Sequence, residues 1–311
     1  MDGLNGKTVD EILGLGKGPD LLSTRLVGSS HDKSNHLGGL SSTSRSVKIP
    51  KEIMQTWKSA VIPKHWAPSQ KSIKTLMPTW SYTLMTDDDN LKFVETYFPD
   101  FVFYFKGFEY PIQRADAIRY MWLYVKGGIY IDLDLELVKP LDDLFYEDKD
   151  LYVVKSSIMP NVYTNACIGA KSRLSLMLRC LDAMKSPYAY WHVGKHLKVV
   201  NSTGPNMFTQ AIQDEVSSDL ESKSESECLR VTELPGDLII ACSICEPKPC
   251  CNVDSYCRLL GGSSWSEGDT AFWTFIFCNR QQLIVLFVVL VIIITVVIVV
   301  HRKRKLRRGR H

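Results

Sequence analysis

The chain has 311 residues, of which 45% are hydrophobic and 23% charged, and its formal net charge is +3. Seven basic residues lie in the last ten positions, so removing their charges from +3 leaves −4 for the rest of the chain. The net positive charge of the chain therefore comes from a short tail, and it does not indicate a nucleic-acid-binding protein. Strand and helix patterns alternate within residues 47–278, whose length suits one α/β domain.

The first 46 residues show no pattern of a folded unit. They are rich in Gly, Ser and Asp with little periodic apolarity, which predicts a flexible leader. They also contain no apolar stretch of the length that a signal peptide requires. The expected organisation is a leader at 1–46, a globular domain at 47–278 with a cysteine-rich closing segment at 228–278, a membrane helix at 283–300 and a basic tail at 301–311.

A helix is predicted in the region before residue 127. Ile118, Met121, Trp122 and Val125 recur at intervals of three and four residues and give one apolar stripe. The Gly-Gly pair at 127–128 is expected to end the helix, because glycine adopts a left-handed cap conformation without steric penalty.

Two carboxylates follow the short strand that residues 129–131, Ile-Tyr-Ile, predict. In an extended chain Asp132, Asp134 and Glu136 share one face and the intervening leucines share the other. Taken alone, these three residues are also compatible with a half-buried strand whose acidic face is solvated and binds no metal. Neighbouring carboxylates repel unless a cation lies between them, and hard oxygen ligands suit Mg²⁺ or Mn²⁺. With the arginines and aspartate of the preceding helix, they favour a site for a metal-bound diphosphate at the strand's carboxyl end.

The nine cysteines are unevenly distributed, since seven lie between residue 228 and the apolar tail. A C-x-x-C followed by C-C is compatible with zinc, but the regular pair of C-x-x-C motifs is absent. Disulfides that brace this segment in a secretory compartment are the favoured interpretation. The seven residues are Cys228, Cys242, Cys245, Cys250, Cys251, Cys257 and Cys278.

An apolar run occupies residues 283–300, with Thr295 its one polar residue. As a helix with a rise of about 1.5 Å per residue it spans roughly 27 Å, close to the hydrocarbon thickness of a bilayer. A buried strand or core helix is the alternative, which the length without a charge disfavours. An aromatic belt at the membrane surface is suggested by Phe272, Trp273, Phe275 and Phe277.

The basic residues from 302 to 310 directly follow this run. Positive residues beside a span prefer the cytosolic side, which places residues 1–282 in the lumen or outside. A tail-anchored protein with a cytosolic domain is the alternative, because no signal peptide was found. We expect the luminal arrangement, in which the sequon at 201–203, Asn-Ser-Thr, can be modified unless it is buried.

Seven segments occur in a shared order along roughly residues 48–275: I-P-K-E-I-M-Q-T-W-K at 49–58, W-S-Y at 80–82, T-D-D at 86–88, R-A-D-A-I-R-Y with G-G-I-Y-I-D-L-D at 114–134, N-A-C-I-G-A at 165–170, T-G-P at 203–205 and G-S-S-W at 262–265. These segments and their order resemble those of the glycosyltransferases with a D-x-D motif, most closely family 32. The resemblance implies an α/β fold of the glycosyltransferase-A type, with a Rossmann-like nucleotide-binding sheet, to which one C-terminal transmembrane helix is added.

The resemblance also assigns expected roles. Asp132 and Asp134 would hold Mn²⁺ or Mg²⁺ and, with Arg119, form the catalytic group. Donor-binding residues would be Trp57, Arg114, Asp116, Ser264 and Trp265. Acceptor-side residues would be Asn165, Thr203, Gly204 and Pro205. A buried core position is the alternative for Trp57, and an intrahelical ion pair is the alternative for Asp116 and Arg119.

The function that the resemblance implies is a membrane-anchored, metal-dependent, retaining transferase of the Golgi or secretory pathway. It would move mannose from GDP-mannose to a glycolipid acceptor such as inositol phosphoceramide. Another nucleotide sugar with a glycan or protein acceptor is one alternative. An inactive membrane-anchored sugar-binding protein is a second, because Ser266 stands where the lipid-modifying branch usually has histidine.

Overall fold

The computed structural model describes residues 49–145, 148–157, 159, 161–186, 194–222, 224, 228–239, 245, 254–262 and 268–308. The predictions for the leader, for Ser264, Trp265 and Ser266, and for Cys242, Cys250 and Cys251 lie outside these residues.

The described strands are β1 (Glu52–Thr56), β2 (Ser81–Met85), β3 (Gly128–Ile131), β4 (Leu135–Leu137), β5 (Leu151–Lys155), β6 (Tyr163–Ala170), β7 (Val231–Leu234) and β8 (Cys257–Leu259). The α-helices are α1 (Ala67–Leu76), α2 (Asp87–Tyr97), α3 (Val102–Gly107), α4 (Pro111–Lys126), α5 (Ser175–Met184), α6 (Lys195–Ser202), α7 (Pro205–Ser222), α8 (Gly236–Ile239), α9 (Gly268–Cys278) and α10 (Arg280–Arg308).

Six strands form a mixed sheet in the order β2-β1-β3-β6-β5-β7, and β4 and β8 form a separate antiparallel pair. β1 pairs in parallel with β2 and β3, whereas β6 is antiparallel to β3 and β5. Alternating side chains face two cores, with Ile53 and Ile129 in one and Met54 and Tyr130 in the other. Because β1, β2 and β3 are parallel, their carboxyl ends meet at one edge, where open α/β sheets bind ligands.

The predicted order of helix, glycine stop and strand is confirmed by α4 and β3. Pro111 occupies the first turn of α4, where its missing N–H costs no hydrogen bond. The helix ends at Gly127 with φ of +69°, and a Cβ on Gly128 would lie 2.2 Å from the Glu52 carbonyl oxygen. The prediction of a single apolar stripe on α4 is wrong, because the helix is buried on all sides. Residues 116–124 are all buried between the sheet and the neighbouring helices.

Two helices end the described chain. α9 carries the exposed residues Phe272 and Phe275, and a disulfide joins its last residue, Cys278, to Cys245, as the cysteine distribution favoured. In α10, the stretch Arg280–Lys303 contains an 18-residue window with a mean hydropathy of 3.9, and none of that window is buried. By length and composition this helix can cross a membrane, and its exposure excludes the core-helix alternative. The free thiols in the described residues are Cys167, Cys180, Cys228 and Cys257.

Candidate active site

A cleft of about 330 Å³ opens at the carboxyl ends of β1, β2 and β3. Its walls combine residues that end or follow these strands with the first half of α4 and the beginning of α6. The cleft therefore lies at the edge of the sheet where the strand order predicts a ligand site. Its lining residues are Thr56, Trp57, Lys58, Trp66, Asp87, Pro111, Ile112, Ala115, Arg119, Tyr130, Asp132, Leu133, Asp134 and Lys195.

The D-x-D segment forms a turn, which corrects the extended strand expected from the sequence. β3 ends one residue before the motif, and the Leu135 N–H donates to the Asp132 carbonyl over 3.1 Å. The buried Gln55 amide donates to the same carbonyl over 3.2 Å, and the Leu260 N–H donates to the Asp134 carbonyl over 2.8 Å. Because these bonds fix the backbone, both aspartates are held in the lining of the cleft.

Glu136 does not join the two aspartates on a shared face, because the turn carries it into β4. There its carboxylate forms an ion pair with Arg258 at 2.5 Å. No group of three His, Cys, Asp or Glu side chains suited to a metal occurs in the part of the chain that the structure describes. Mg²⁺ bound by one or two carboxylates keeps open positions, so a divalent cation on Asp132 and Asp134 would leave room for substrate oxygens. Burial raises the pKa of Asp132, and a cation would oppose this by favouring the charged form.

Arg119 is the buried cation of the cleft, with 2% of its surface exposed. Its Nη2 lies 2.7 Å from Asp116 Oδ1, and its Nη1 lies 3.6 Å from Asp132 Oδ1. Nη1 also donates to the Asn165 carbonyl over 2.5 Å, and Cζ lies 4.4 Å from the centre of the Tyr130 ring. The Tyr130 hydroxyl donates to Asp132 Oδ1 over 2.6 Å. One arginine therefore links the D-x-D motif to the interior of α4.

Asp116 is buried behind Arg119 and is not among the described residues that line the cleft. The intrahelical ion pair considered as the alternative is therefore present. The Thr203 hydroxyl donates to Asp116 Oδ2 over 2.7 Å, and the Asn165 amide donates to Oδ1 over 3.1 Å. Burial raises the pKa of Asp116 to about 6, against the opposing effect of Arg119. Two residues expected on the acceptor side thus meet at a buried carboxylate.

The other predicted site residues in the described chain have backbone and packing contacts. Arg114 donates to the Phe108 carbonyl over 3.1 Å. A Cβ on Gly204 would lie 2.9 Å from the Cα of Val200, so glycine permits the close approach of α6 and α7. Pro205 begins α7. None of these three predicted residues is in the described lining of the cleft.

Two tryptophans form the wall next to β1. Trp57 is half-buried, which excludes the core position considered from the sequence. Its ring meets Trp66 edge-on, with 4.9 Å between ring centroids, and the Trp66 Nε1–H donates to the Gly261 carbonyl over 2.7 Å. Lys58 Nζ lies 5.6 Å from the Trp57 ring centroid. An aromatic face beside a cation suits a stacked base and its phosphates.

Sequence reasoning missed several lining residues. Lys58, Asp87 and Tyr130 lie inside the motif segments, so the Q-T-W-K, T-D-D and G-G-I-Y patterns contained a signal for them. Trp66 and Lys195 lie in none of these segments. They reach the cleft through a 3₁₀ turn at Lys64–Trp66 and through the start of α6, contacts that no local pattern specifies.

Comparison with known proteins agrees with this geometry. Residues 63–151 match the family model described as a glycosyltransferase sugar-binding region containing DXD motif. The match includes the helix with Arg119 and the turn with Asp132 and Asp134. It confirms the predicted resemblance to the glycosyltransferases with a D-x-D motif, and the mixed sheet with its helices confirms the α/β fold.

Several curated relatives are similar to this chain. Two mannosyl phosphorylinositol ceramide synthases of Saccharomyces cerevisiae are 31% identical over 224 residues (72% of this chain, 54% of the relative) and 36% identical over 157 residues (50% and 40%). An inositol phosphoceramide mannosyltransferase of Schizosaccharomyces pombe is 35% identical over 163 residues (52% and 44%). The chain spans about half the length of these relatives.

Proposed function

We propose that the chain is a membrane-anchored, metal-dependent, retaining mannosyltransferase that moves mannose from GDP-mannose to a glycolipid of the inositol phosphoceramide class. The observation that carries this proposal is the fixed turn that presents Asp132 and Asp134 to a cleft also lined by Arg119. The names of the relatives, which refer to mannosyl transfer and to inositol phosphoceramide, support the choice of sugar and acceptor.

The side chains of the cleft have complementary roles in this proposal. Asp132 and Asp134 would hold Mn²⁺ or Mg²⁺, which neutralises charge on a nucleoside-diphosphate leaving group. Arg119 adds a fixed positive charge 3.6 Å from Asp132, in a buried setting where such a charge is weakly screened. Tyr130 orients Asp132 through its hydroxyl, and Trp57 offers a face for the base. In a retaining transfer, the acceptor hydroxyl attacks from the side of the leaving group.

Three features support a luminal domain in the Golgi or secretory pathway. The helix α10 is long and apolar enough to span a bilayer. The Cys245–Cys278 disulfide lies at its amino-terminal end, and disulfides persist in oxidising compartments. The basic residues lie at its other end, which prefers the cytosolic side.

Transfer by the full chain in mixed micelles tests the proposal. We expect labelled mannose from GDP-mannose to appear on inositol phosphoceramide with Mn²⁺, and to be absent with EDTA or in Asp134→Asn. Transfer from another nucleotide sugar alone would overturn the choice of mannose. A folded chain that neither transfers a sugar nor binds GDP with Mn²⁺ would overturn the enzymatic function and favour the inactive sugar-binding protein.

A further inference from the structure

Lys195 is the one described lining residue of the cleft that follows Asp134 in the chain. It enters from α6, whereas the other lining residues lie on or after the first three strands or on α4. The end of α6 belongs to the β6 side of the sheet, because Thr203 and Asn165 meet there at one carboxylate. Lys195 therefore comes from the opposite side of β3 to β1 and β2.

The ends of β1, β2 and β3, which we call the donor side of the cleft, already carry groups that can bind a nucleoside diphosphate. Trp57 and Lys58 follow β1, Asp87 follows β2, and the two aspartates of the turn follow β3. A nucleoside diphosphate bound along these strand ends has an aromatic face, a cation and the two carboxylates that suit a metal. Lys195 is half-buried and adds a second ammonium to the cleft from α6, and a point charge with three donors suits a phosphate.

The start of α6 is held from two directions. Asp269 Oδ2 accepts the His196 N–H over 2.7 Å, so a residue of α9 caps α6. Lys195 Nζ lies 5.3 Å from the centre of the Tyr110 ring, at the residue before α4. One turn later, Lys198 forms an ion pair with the exposed Glu109, a contact that water screens and that contributes little to the position of α6. Because α9 leads into α10 after one residue, Lys195 has a short structural link to the membrane helix.

We propose that Lys195 binds the phosphodiester of the acceptor lipid's headgroup, on the side of the cleft away from the donor diphosphate. The proposal rests on the proposed function, in which the acceptor is an inositol phospholipid. A headgroup approaching from the bilayer meets α9 and then α6. The Lys195 ammonium is placed to fix the headgroup phosphate, so that an inositol hydroxyl can extend towards the D-x-D turn.

A pair of matched variants of the full chain tests this role. Lys195→Met removes the cleft ammonium, and Lys198→Met removes the same charge one turn along the helix, from a residue outside the described lining. Binding of glycerophosphoinositol and of GDP, each with Mn²⁺, separates the lipid phosphodiester from the donor phosphate. We expect Lys195→Met to weaken glycerophosphoinositol binding and to raise the KM for the lipid acceptor by about ten- to hundredfold, with GDP binding unchanged.

The controls give each outcome a meaning. Lys198→Met should stay within about twofold of wild type, and Lys195→Arg should recover most of the affinity because it keeps the charge. Loss of GDP binding in Lys195→Met would assign the lysine to the donor and overturn the proposal, as would unchanged binding of both probes. If wild type transfers no mannose to inositol lipids but binds glycerophosphoinositol through Lys195, the mannosyltransferase function fails while the phosphate site stands.

Discussion

Asn165 donates its side-chain amide to Asp116 over 3.1 Å, although the two residues are 49 positions apart in the chain. Thr203 reaches the same carboxylate from 87 positions away. Strand β6, helix α4 and the junction of α6 and α7 therefore meet at one buried charge. Because Asp116 is in turn paired with Arg119, the position of the cleft's arginine depends on hydrogen bonds made outside the cleft.

Thr203→Val should destabilise the protein, because it removes a hydroxyl donor from buried Asp116 while keeping the side-chain volume. We expect the free energy of unfolding to fall by about 1–3 kcal/mol, measured by urea denaturation of the full chain in detergent. The loss should be larger above pH 6 than below it, since the pKa of Asp116 is about 6 and the carboxylate needs the donor more than the protonated acid does. The exposed Thr96→Val, which loses only a bond to the Lys92 carbonyl, should change it by less than about 0.5 kcal/mol. Equal losses at both sites would contradict a structural role for the Asp116 cluster.

Asp134→Asn and Glu136→Gln form a matched pair for the D-x-D turn. Both remove one negative charge, but Asp134 lines the cleft and Glu136 is paired with Arg258. We expect Asp134→Asn to reduce kcat at least about a hundredfold by removing electrostatic stabilisation of the leaving group. Glu136→Gln should retain kcat within a few fold. Comparable losses in initial-rate assays would show that the extended D-x-D-x-E face, rather than the turn, describes the site.

Asp269→Ala should loosen the start of α6 and with it the cleft residue Lys195. Losing a helix cap costs about 1 kcal/mol, and Asp269→Asn should recover most of it because the amide oxygen can still accept the His196 N–H. That N–H holds the pKa of Asp269 below its usual value, so the ionised cap is present at neutral pH and is lost only as pH falls through this lowered pKa. We expect Asp269→Ala to raise the KM for the lipid acceptor more than the KM for the donor. A larger rise for the donor would contradict the link between α9 and the acceptor side.

Leu220→Asn tests the orientation in the membrane. The natural sequon at Asn201 lies within α6, where its amide donates to the Leu197 carbonyl and the two following residues are buried. Leu220 is 75% exposed near the end of α7, and the substitution creates the sequon Asn-Glu-Ser. In cells we expect a glycosidase-sensitive mobility shift for Leu220→Asn and none for wild type. Absence of the shift in the variant would place the domain in the cytosol.

The sequence predicted those parts of the site that depend on local chemistry. The glycine stop at Gly127 and the position of Asp132 and Asp134 at a strand end follow from short-range preferences, and the structure has both. The turn itself was not predictable, because the backbone of the motif is held by Gln55 and Leu260, which come from distant segments.

The same limit explains the two least expected contacts. Asp116 has the residue type and spacing of a ligand-binding group, yet burial and the donors from Asn165 and Thr203 make it a support for Arg119. Lys195 has no motif around it, and it becomes a cleft residue only because α6 packs against the start of α4. Sequence patterns report which groups are present, whereas long-range packing decides which of them meet the cleft.

Only Asn279 separates α9 from α10, and under the proposed function this short junction determines how the cleft meets its acceptor. If α10 spans the bilayer as proposed, the cleft remains close to one leaflet and searches for lipid in two dimensions. The reaction rate would then follow the mole fraction of acceptor in the membrane surface and not its bulk concentration. Adding inert lipid at a constant total amount of acceptor would slow transfer by surface dilution.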